Sequence, residues 1–427
     1  DANKCINCGR CVRTCSEIQG AGVLGYIYRG FTSLVAPEFG DSLTNTSCES
    51  CGKCIAVCPV GALVERNQNY KLNPRIAREI EQNCGNCGTG CFINVKTETD
   101  LVKLIETPEE EGFNKRNLCF RGRFGWQVLE DESRITNPQL KTEKGWEKIS
   151  YAKAAKIIKE KMKSAASKQF YLSPDVSNEE ISVIKKAAER AKAKLSSLSL
   201  KNDFTDNYIF NEYKLKSLSE LDDTENIVIV GKISHTLRTI CRLKQRKGKK
   251  LYLINNLEND FNAFADKLYQ GNNLDELLDK FNSEIKPKTK TIFIYSRNHV
   301  SEKIIKKVWK SALQVCDFKA GSGVIPTSEW NNLVGLLRKQ IQPGQKESAD
   351  FTMLYGETPD TDELIKIKKS GFIVKFDTHK ADAEVADLLL PLPTYLEMKG
   401  TAFADDGKLK EFNNPKNRPY LHELLNI

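Results

Sequence analysis

Short apolar runs alternating with amphipathic stretches dominate the chain beyond about residue 150. Residues 151–166 repeat Ala and Ile on one side with Lys on the other, the pattern of an amphipathic helix. Runs rich in β-branched and aromatic residues at 227–230, 251–254, 291–295, 352–355 and 372–376 predict strands, most of them separated by helical lengths. Continuous apolar runs suit strands covered on both faces, so parallel sheets flanked by helices are expected. The predicted form of 146–427 is an α/β body of one or two doubly wound, Rossmann-like units. Such sheets bind ligands at the carboxyl ends of their strands, but they also serve as scaffold, and scaffold is the expectation here.

Composition limits the class. With 427 residues, 28% charged and 40% hydrophobic, the chain is globular and long enough for two or three domains. No run reaches 18 apolar residues and no basic, apolar leader opens the sequence, so no membrane span is expected and a cytoplasmic location is. The first residue is Asp, which leaves open whether an N-terminal two-iron domain precedes it. Twelve of 14 cysteines fall within the first 119 residues, at gaps of two and three, and only Cys241 and Cys316 lie beyond. That grouping suits metal chemistry better than a disulfide scaffold. The net charge of +9 would ordinarily suggest nucleic acid. Three four-iron clusters at roughly −2 each would lower it to about +3, and the aromatic interleaving of a nucleic-acid surface is missing.

Cys5, Cys8, Cys11 and Cys15 form one C-x2-C-x2-C-x3-C group, and Cys48, Cys51, Cys54 and Cys58 a second, followed by Pro59. This is the spacing of a two-cluster ferredoxin, in which the fourth thiolate of each group reaches the other cluster. Cys5, Cys8, Cys11 and Cys58 are therefore expected to hold one [4Fe-4S] cluster, and Cys48, Cys51, Cys54 and Cys15 a second. Structural zinc would need only four ligands and favours pairs of C-x2-C. A third set, Cys84, Cys87, Cys91 and, after 27 intervening residues, Cys119, suits another four-iron cluster, though zinc or a smaller cluster also fits that spacing. Residues 20–25 match G-x-G-x-x-G but follow a cluster-ligand helix rather than a strand, so they are read as a decoy. Residues 231–235 follow a strand without a phosphate-loop pattern. His235, His299, His379 and His422 have no ligand spacing, and Cys241 and Cys316 read as buried apolar thiols. The lysine-rich stretch 303–310 reads as a solvated face.

Residues 1–66 resemble the paired-cluster ferredoxin module of iron-only hydrogenases and formate dehydrogenases, on the phrases Cys-Val-Arg-Thr-Cys-Ser-Glu-Ile-Gln-Gly from Cys11 and Cys-Ile-Ala-Val-Cys-Pro-Val-Gly-Ala-Leu from Cys54. From Cys84 the chain resembles the molybdopterin oxidoreductases, on Leu-Cys-Phe-Arg-Gly-Arg-Phe-Gly from Leu118, Arg-Ile-Thr-Asn-Pro from Arg134, Ser-Pro-Asp-Val-Ser-Asn-Glu-Glu from Ser173, Ala-Asp-Leu-Leu-Leu-Pro from Ala386, and Glu397 with Gly400-Thr401. The resemblance implies a ferredoxin domain at 1–72, a third cluster domain at 73–145 and the α/β body at 146–427. It departs from the metal-bearing members in two ways: Arg121 stands where they carry lysine, and no cysteine lies between Cys119 and Cys241 to ligate molybdenum. The large iron–sulfur subunit of complex I shares that loss, as do subunits of soluble NAD-linked hydrogenases and transhydrogenases. The implied function is a non-catalytic electron-transfer subunit with three [4Fe-4S] clusters, no molybdopterin and no flavin of its own. Its implied partners are a flavoprotein that oxidises NAD(P)H and a ferredoxin or catalytic hydrogenase or reductase subunit. The rival is a formate dehydrogenase or other molybdenum or tungsten reductase with a serine or aspartate ligand. An iron-only hydrogenase would need further cysteine motifs, and a docking protein would hold redox-silent clusters.

Overall fold

In the computed structural model, which describes residues 2–65, 72–73, 75–99, 101–108, 112–200, 216–256, 260–344, 347–369, 371–380 and 383–413, all five apolar runs are strands. The chain divides into two units. The first comprises Asp1–Cys84, Cys91–Trp126 and Glu212–Glu329, and the second Gly85–Gly90, Gln127–Asn211 and Trp330–Ile427.

The first unit contains a five-stranded, wholly parallel sheet in the order Lys267–Gln270, Lys250–Asn255, Asn226–Val230, Thr291–Ser296, Gly323–Thr327. In chain order this is third, second, first, fourth, fifth, so the winding reverses beside Asn226–Val230. Both faces are covered, which is why the runs are continuously apolar rather than alternating. Ile227, Ile229, Leu251, Leu253 and Ile292 pack with Leu237, Ile240 and Cys241 of helix His235–Arg246. Phe293 and Tyr252 instead meet Phe281 of helix Leu274–Glu284 edge-on, at 5.8 and 5.6 Å between ring centroids. The N-terminal part of this unit adds an antiparallel hairpin, Leu24–Ile27 with Leu34–Pro37, and a three-stranded antiparallel sheet of Arg78–Asn83, Phe92–Glu98 and Leu101–Glu106.

The second unit is built on eight strands in the order Gln342–Pro343, Lys194–Ser197, Lys168–Leu172, Phe351–Tyr355, Phe372–Asp377, Leu388–Pro391, Gln139–Thr142, Gly145–Lys148. The first six are parallel, and the last two close the edge as an antiparallel pair. The chain leaves this sheet after its second parallel strand, builds the five-stranded sheet of the first unit, and returns to form the third. Helix Tyr151–Ser164, capped by Ser150, buries Ala154, Ile158 and Met162, as the Ala/Ile periodicity predicts, and ends two residues earlier than expected. Helix Asn178–Ala191 opens on a capping box between Ser177 and Glu180. The edge strands escape a reading by apolar runs because their exposed face is polar: Gly145–Lys148 has no buried residue. Among the described residues no helix is long and apolar enough to cross a membrane.

Ile292 is fully buried on strand Thr291–Ser296, next to the central strand of the five-stranded sheet. Ile292→Ala is expected to cost about 2–5 kcal/mol through the cavity it leaves, seen in calorimetry as an earlier unfolding transition.

Candidate metal centres

All fourteen cysteines are free thiols. Cys5, Cys8 and Cys11, together with Cys58 from 47 positions beyond Cys11, line one cavity of about 180 Å³, with Ile6, Leu34, Val35, Val60 and Leu63 among its apolar walls. Each thiol reaches it by a local device. Gly9, with φ +69°, lets the loop turn into helix Arg10–Arg13, which carries Cys11. The Tyr26 hydroxyl donates to the Asn7 carbonyl at 2.9 Å, pinning the loop between Cys5 and Cys8. Burial alone would raise the Cys58 thiol, but hydrogen bonds from the Leu63, Val60, Ala62 and Gly61 amides outweigh it and draw its pKa below the ordinary value. Four thiols on a lone zinc would each sit about 2.3 Å from the ion and leave no such space. The cavity, about six water volumes at about 30 Å³ each, fits a multi-atom cluster. Among the described residues no three His, Cys, Asp or Glu side chains converge on a point that would hold a single ion.

Cys15, Cys48, Cys51 and Cys54 form a second group. The Cys54 thiol is pushed up to about 12, first by burial and then by the neighbouring Cys51, Cys15 and Cys48. Burial also raises Cys51, against the pull of Arg123 and Lys53. Gly52 caps the turn Lys53–Ala56 with φ +69°, and a β-carbon there would lie 2.4 Å from the Phe124 ring and 2.5 Å from Arg123 Cδ. Helix His235–Arg246 reaches over the segment after Cys15: Arg242 donates to the Gln19 carbonyl and pairs with Glu49 at 3.8 Å, while Arg246 donates to the Ser16 carbonyl.

In the third set, Cys84 and Cys91 flank a hairpin loop and are joined by a 2.7 Å hydrogen bond from the Cys84 amide to the Cys91 carbonyl. Cys119 caps helix Phe120–Phe124. These three belong to the first unit and Cys87 to the second. Within the second unit, Lys410 Nζ donates to the Cys87 carbonyl at 3.2 Å and to Asn331 Oδ1 at 2.6 Å. The glycines of the 85–90 segment are there for close approach: a β-carbon on Gly88 would lie 2.2 Å from the Asp405 carboxylate.

The remaining residues follow the blander readings. Cys241 and Cys316 are buried, and burial pushes both thiols up to about 12. His235 meets Arg238, His299 meets Glu329 at 3.1 Å, and His379 donates to the Val128 carbonyl at 3.0 Å; His422 lies outside the described residues. The G-x-G-x-x-G match runs into a strand, Leu24–Ile27, and opens no helix. Reading by motif missed the buried cations Lys53, Arg123, Arg242 and Lys410: the first two are only basic residues near an expected ligand, and the last two lie far from any in sequence. It also missed Glu357, just past the end of strand Phe351–Tyr355. Its carboxylate is 1% exposed and accepts from Ser197 Oγ at 2.7 Å, the Leu198 amide at 2.9 Å and Ser199 Oγ at 2.7 Å.

Three family models match the chain: the ferredoxin-like domain of NADH-quinone oxidoreductase subunit 3 over 1–64, the molybdopterin oxidoreductase Fe4S4 domain over 77–131, and molybdopterin oxidoreductase over 134–415. An NADH-quinone oxidoreductase subunit of Rhizobium meliloti is 35% identical over 181 residues, 42% of this chain and 21% of that protein. NADPH-Fe(3+) oxidoreductase subunit alpha of Geobacter sulfurreducens is 30% identical over 182 residues, again 42% and 21%. NADP-reducing hydrogenase subunit HndD of Solidesulfovibrio fructosivorans is 47% identical over 77 residues, 18% of this chain and 13% of its own. The matched stretch thus spans about a fifth of the length of the first two relatives. A chain of the formyltransferase/hydrolase complex of Methylorubrum extorquens, solved with methylofuran, shares the fold at a TM-score of 0.50 and 10% identity, covering 68% of this chain and 98% of that one.

The thiols differ enough to be ranked. In the metal-free chain at pH 8, Cys58 is expected to alkylate well before Cys54 and Cys241, because only a thiolate is nucleophilic. Peptide mass mapping over time reads the order, and equal rates would contradict it.

Proposed function

The chain belongs to the molybdopterin oxidoreductase family, and we propose that it is an iron–sulfur electron-transfer subunit of a complex I-like, NAD(P)H-linked oxidoreductase. Its three [4Fe-4S] clusters would pass electrons between a flavoprotein that oxidises NAD(P)H and a ferredoxin or a catalytic hydrogenase or reductase subunit. The observation that carries this is the cavity shared by Cys5, Cys8, Cys11 and Cys58, where thiols from both ferredoxin-like groups meet as cross-ligation requires. Cys48, Cys51, Cys54 and Cys15 would hold the second cluster, and Cys84, Cys87, Cys91 and Cys119 the third. Bound there, iron–sulfur clusters supply one-electron chemistry; the chain supplies thiolates, amide hydrogen bonds to sulfur and apolar walls that exclude water. The modules 1–72, 73–145 and 146–427 belong to this reading, as does a cytoplasmic location.

The body is read as two doubly wound, Rossmann-like units without molybdopterin. Support comes from the absence of any cysteine between Cys119 and Cys241, and from Glu357. At the carboxyl end of strand Lys194–Ser197, where such sheets receive anionic ligands, the chain's own carboxylate takes up two backbone amides and two hydroxyls. The second reading, a molybdenum or tungsten reductase, would need a serine or aspartate ligand.

Anaerobically purified protein is expected to contain about twelve iron atoms per chain and no molybdenum or tungsten by elemental analysis. Stoichiometric molybdenum or tungsten would sink the relay reading. Cys58→Ser should remove about four irons, with the loss confined to one paramagnetic centre. An unchanged first centre would contradict the cross-ligation.

A further inference from the structure

The loops of the second and third cysteine sets clasp each other reciprocally. From the second, Lys53 Nζ donates to Asn117 Oδ1 at 2.7 Å. From the third, Arg123 donates through Nε to the Cys51 carbonyl at 2.7 Å, while its backbone amide donates to the Cys119 carbonyl at 3.1 Å. One residue is thereby tied by its main chain to a ligand of one set and by its side chain to a ligand of the other. Cys51 and Cys119 line a single narrow cleft with Asn117 and Leu118. Gly52 has no side chain at the point where a β-carbon would strike Arg123 Cδ.

Arg123 is 5% exposed. Its side chain bonds to the Cys51 carbonyl and, at 3.4 Å, the Ile105 carbonyl, and among the described residues it forms no ion pair. A guanidinium does not shed its proton in a protein, and an uncompensated buried charge is costly. The anions that act on it are the Cys51, Cys54 and Cys119 thiolates and the Glu106 carboxylate, and Glu106 is already paired with Lys96 at 2.6 Å. Arg242, on another flank of the second set, differs in having its own carboxylate, Glu49.

We propose that Arg123 is a positioning residue and the shared counter-charge of the second and third sets, stabilising the reduced state of both centres together. This rests on the iron–sulfur reading above. Each cluster with its four thiolates carries roughly −2 when oxidised and one negative charge more after accepting an electron. A fixed cation in a poorly polarisable interior favours the more negative form, so it raises both potentials. It lies outside the walls of the cavity formed by Cys5, Cys8, Cys11 and Cys58, so the first centre serves as an internal control.

The test is a redox titration of the full, cluster-loaded chain followed by electron paramagnetic resonance, with iron per chain measured on every variant and the first centre identified by its loss in Cys58→Ser. Arg123→Gln is expected to lower the equilibrium constant for reduction at least tenfold at two centres, about 59 mV for one electron, and to leave the first unmoved. Arg123→Lys should return both most of the way. Full iron with all three potentials unmoved, or all three shifted alike, overturns the proposal. Where Arg123→Gln loses iron, Arg123→Lys decides: full iron with near-native potentials supports a counter-charge, and full iron with two potentials lowered tenfold overturns it. Fewer than three centres in the unsubstituted chain would sink the relay reading itself, a result distinct from unmoved potentials.

Discussion

Thiol sulfur gathered in a small, partly dry volume is the constraint on which the N-terminal part of the chain depends. A buried thiol resists losing its proton, as the rise of Cys54 to about 12 records, yet only a thiolate binds metal. The chain answers with three devices. Backbone amides turned inward at 60–63 draw Cys58 down. Left-handed glycines at 9 and 52 let ligand loops turn into short helices. Buried cations stand beside the second set.

Those cations also connect regions that the linear sequence separates. Helix His235–Arg246 packs on the five-stranded sheet through Leu237, Ile240 and Cys241, while Arg242 and Arg246 hold the backbone after Cys15. The sheet is therefore more than a passive body: it supplies part of the wall around the second set. The first unit is assembled from three stretches of chain for this reason. In the second unit buried polar groups are largely paired within the fold, with Glu357 held by Ser197, Leu198 and Ser199, Arg134 by Glu397 and Lys375 by Asp377. Pairing of that kind satisfies polar groups that burial would otherwise penalise.

Legibility followed the kind of signal each element carries. Strands with both faces covered announce themselves as continuous apolar runs, and all five expected ones formed. In the eight-stranded sheet, Lys168–Leu172 opens on the polar Lys168 and Gln169, Leu388–Pro391 is only four residues long, and the edge pair Gln139–Thr142 and Gly145–Lys148 turns polar side chains outward. That Cys5, Cys8, Cys11 and Cys58 meet at one cavity was legible because two C-x2-C-x2-C-x3-C groups carry the spacing of a two-cluster ferredoxin. Arg123 and Lys53 were not, because a basic residue beside a cysteine carries no sign of whether it faces solvent or a ligand loop 64 or 72 positions away.

By itself the sequence determined the local chemistry: twelve thiols in three spaced sets, helices and strands by periodicity, and the motifs of the molybdopterin oxidoreductase family. These are short-range properties, set by the reach of a loop or the repeat of an element. Tertiary structure alone decided that one sheet is inserted into the connection of another, and that Arg123 lies between the loops of the second and third cysteine sets. Such placements depend on long-range packing, where burial removes the water that would otherwise screen each charge, and no spacing along the chain records it.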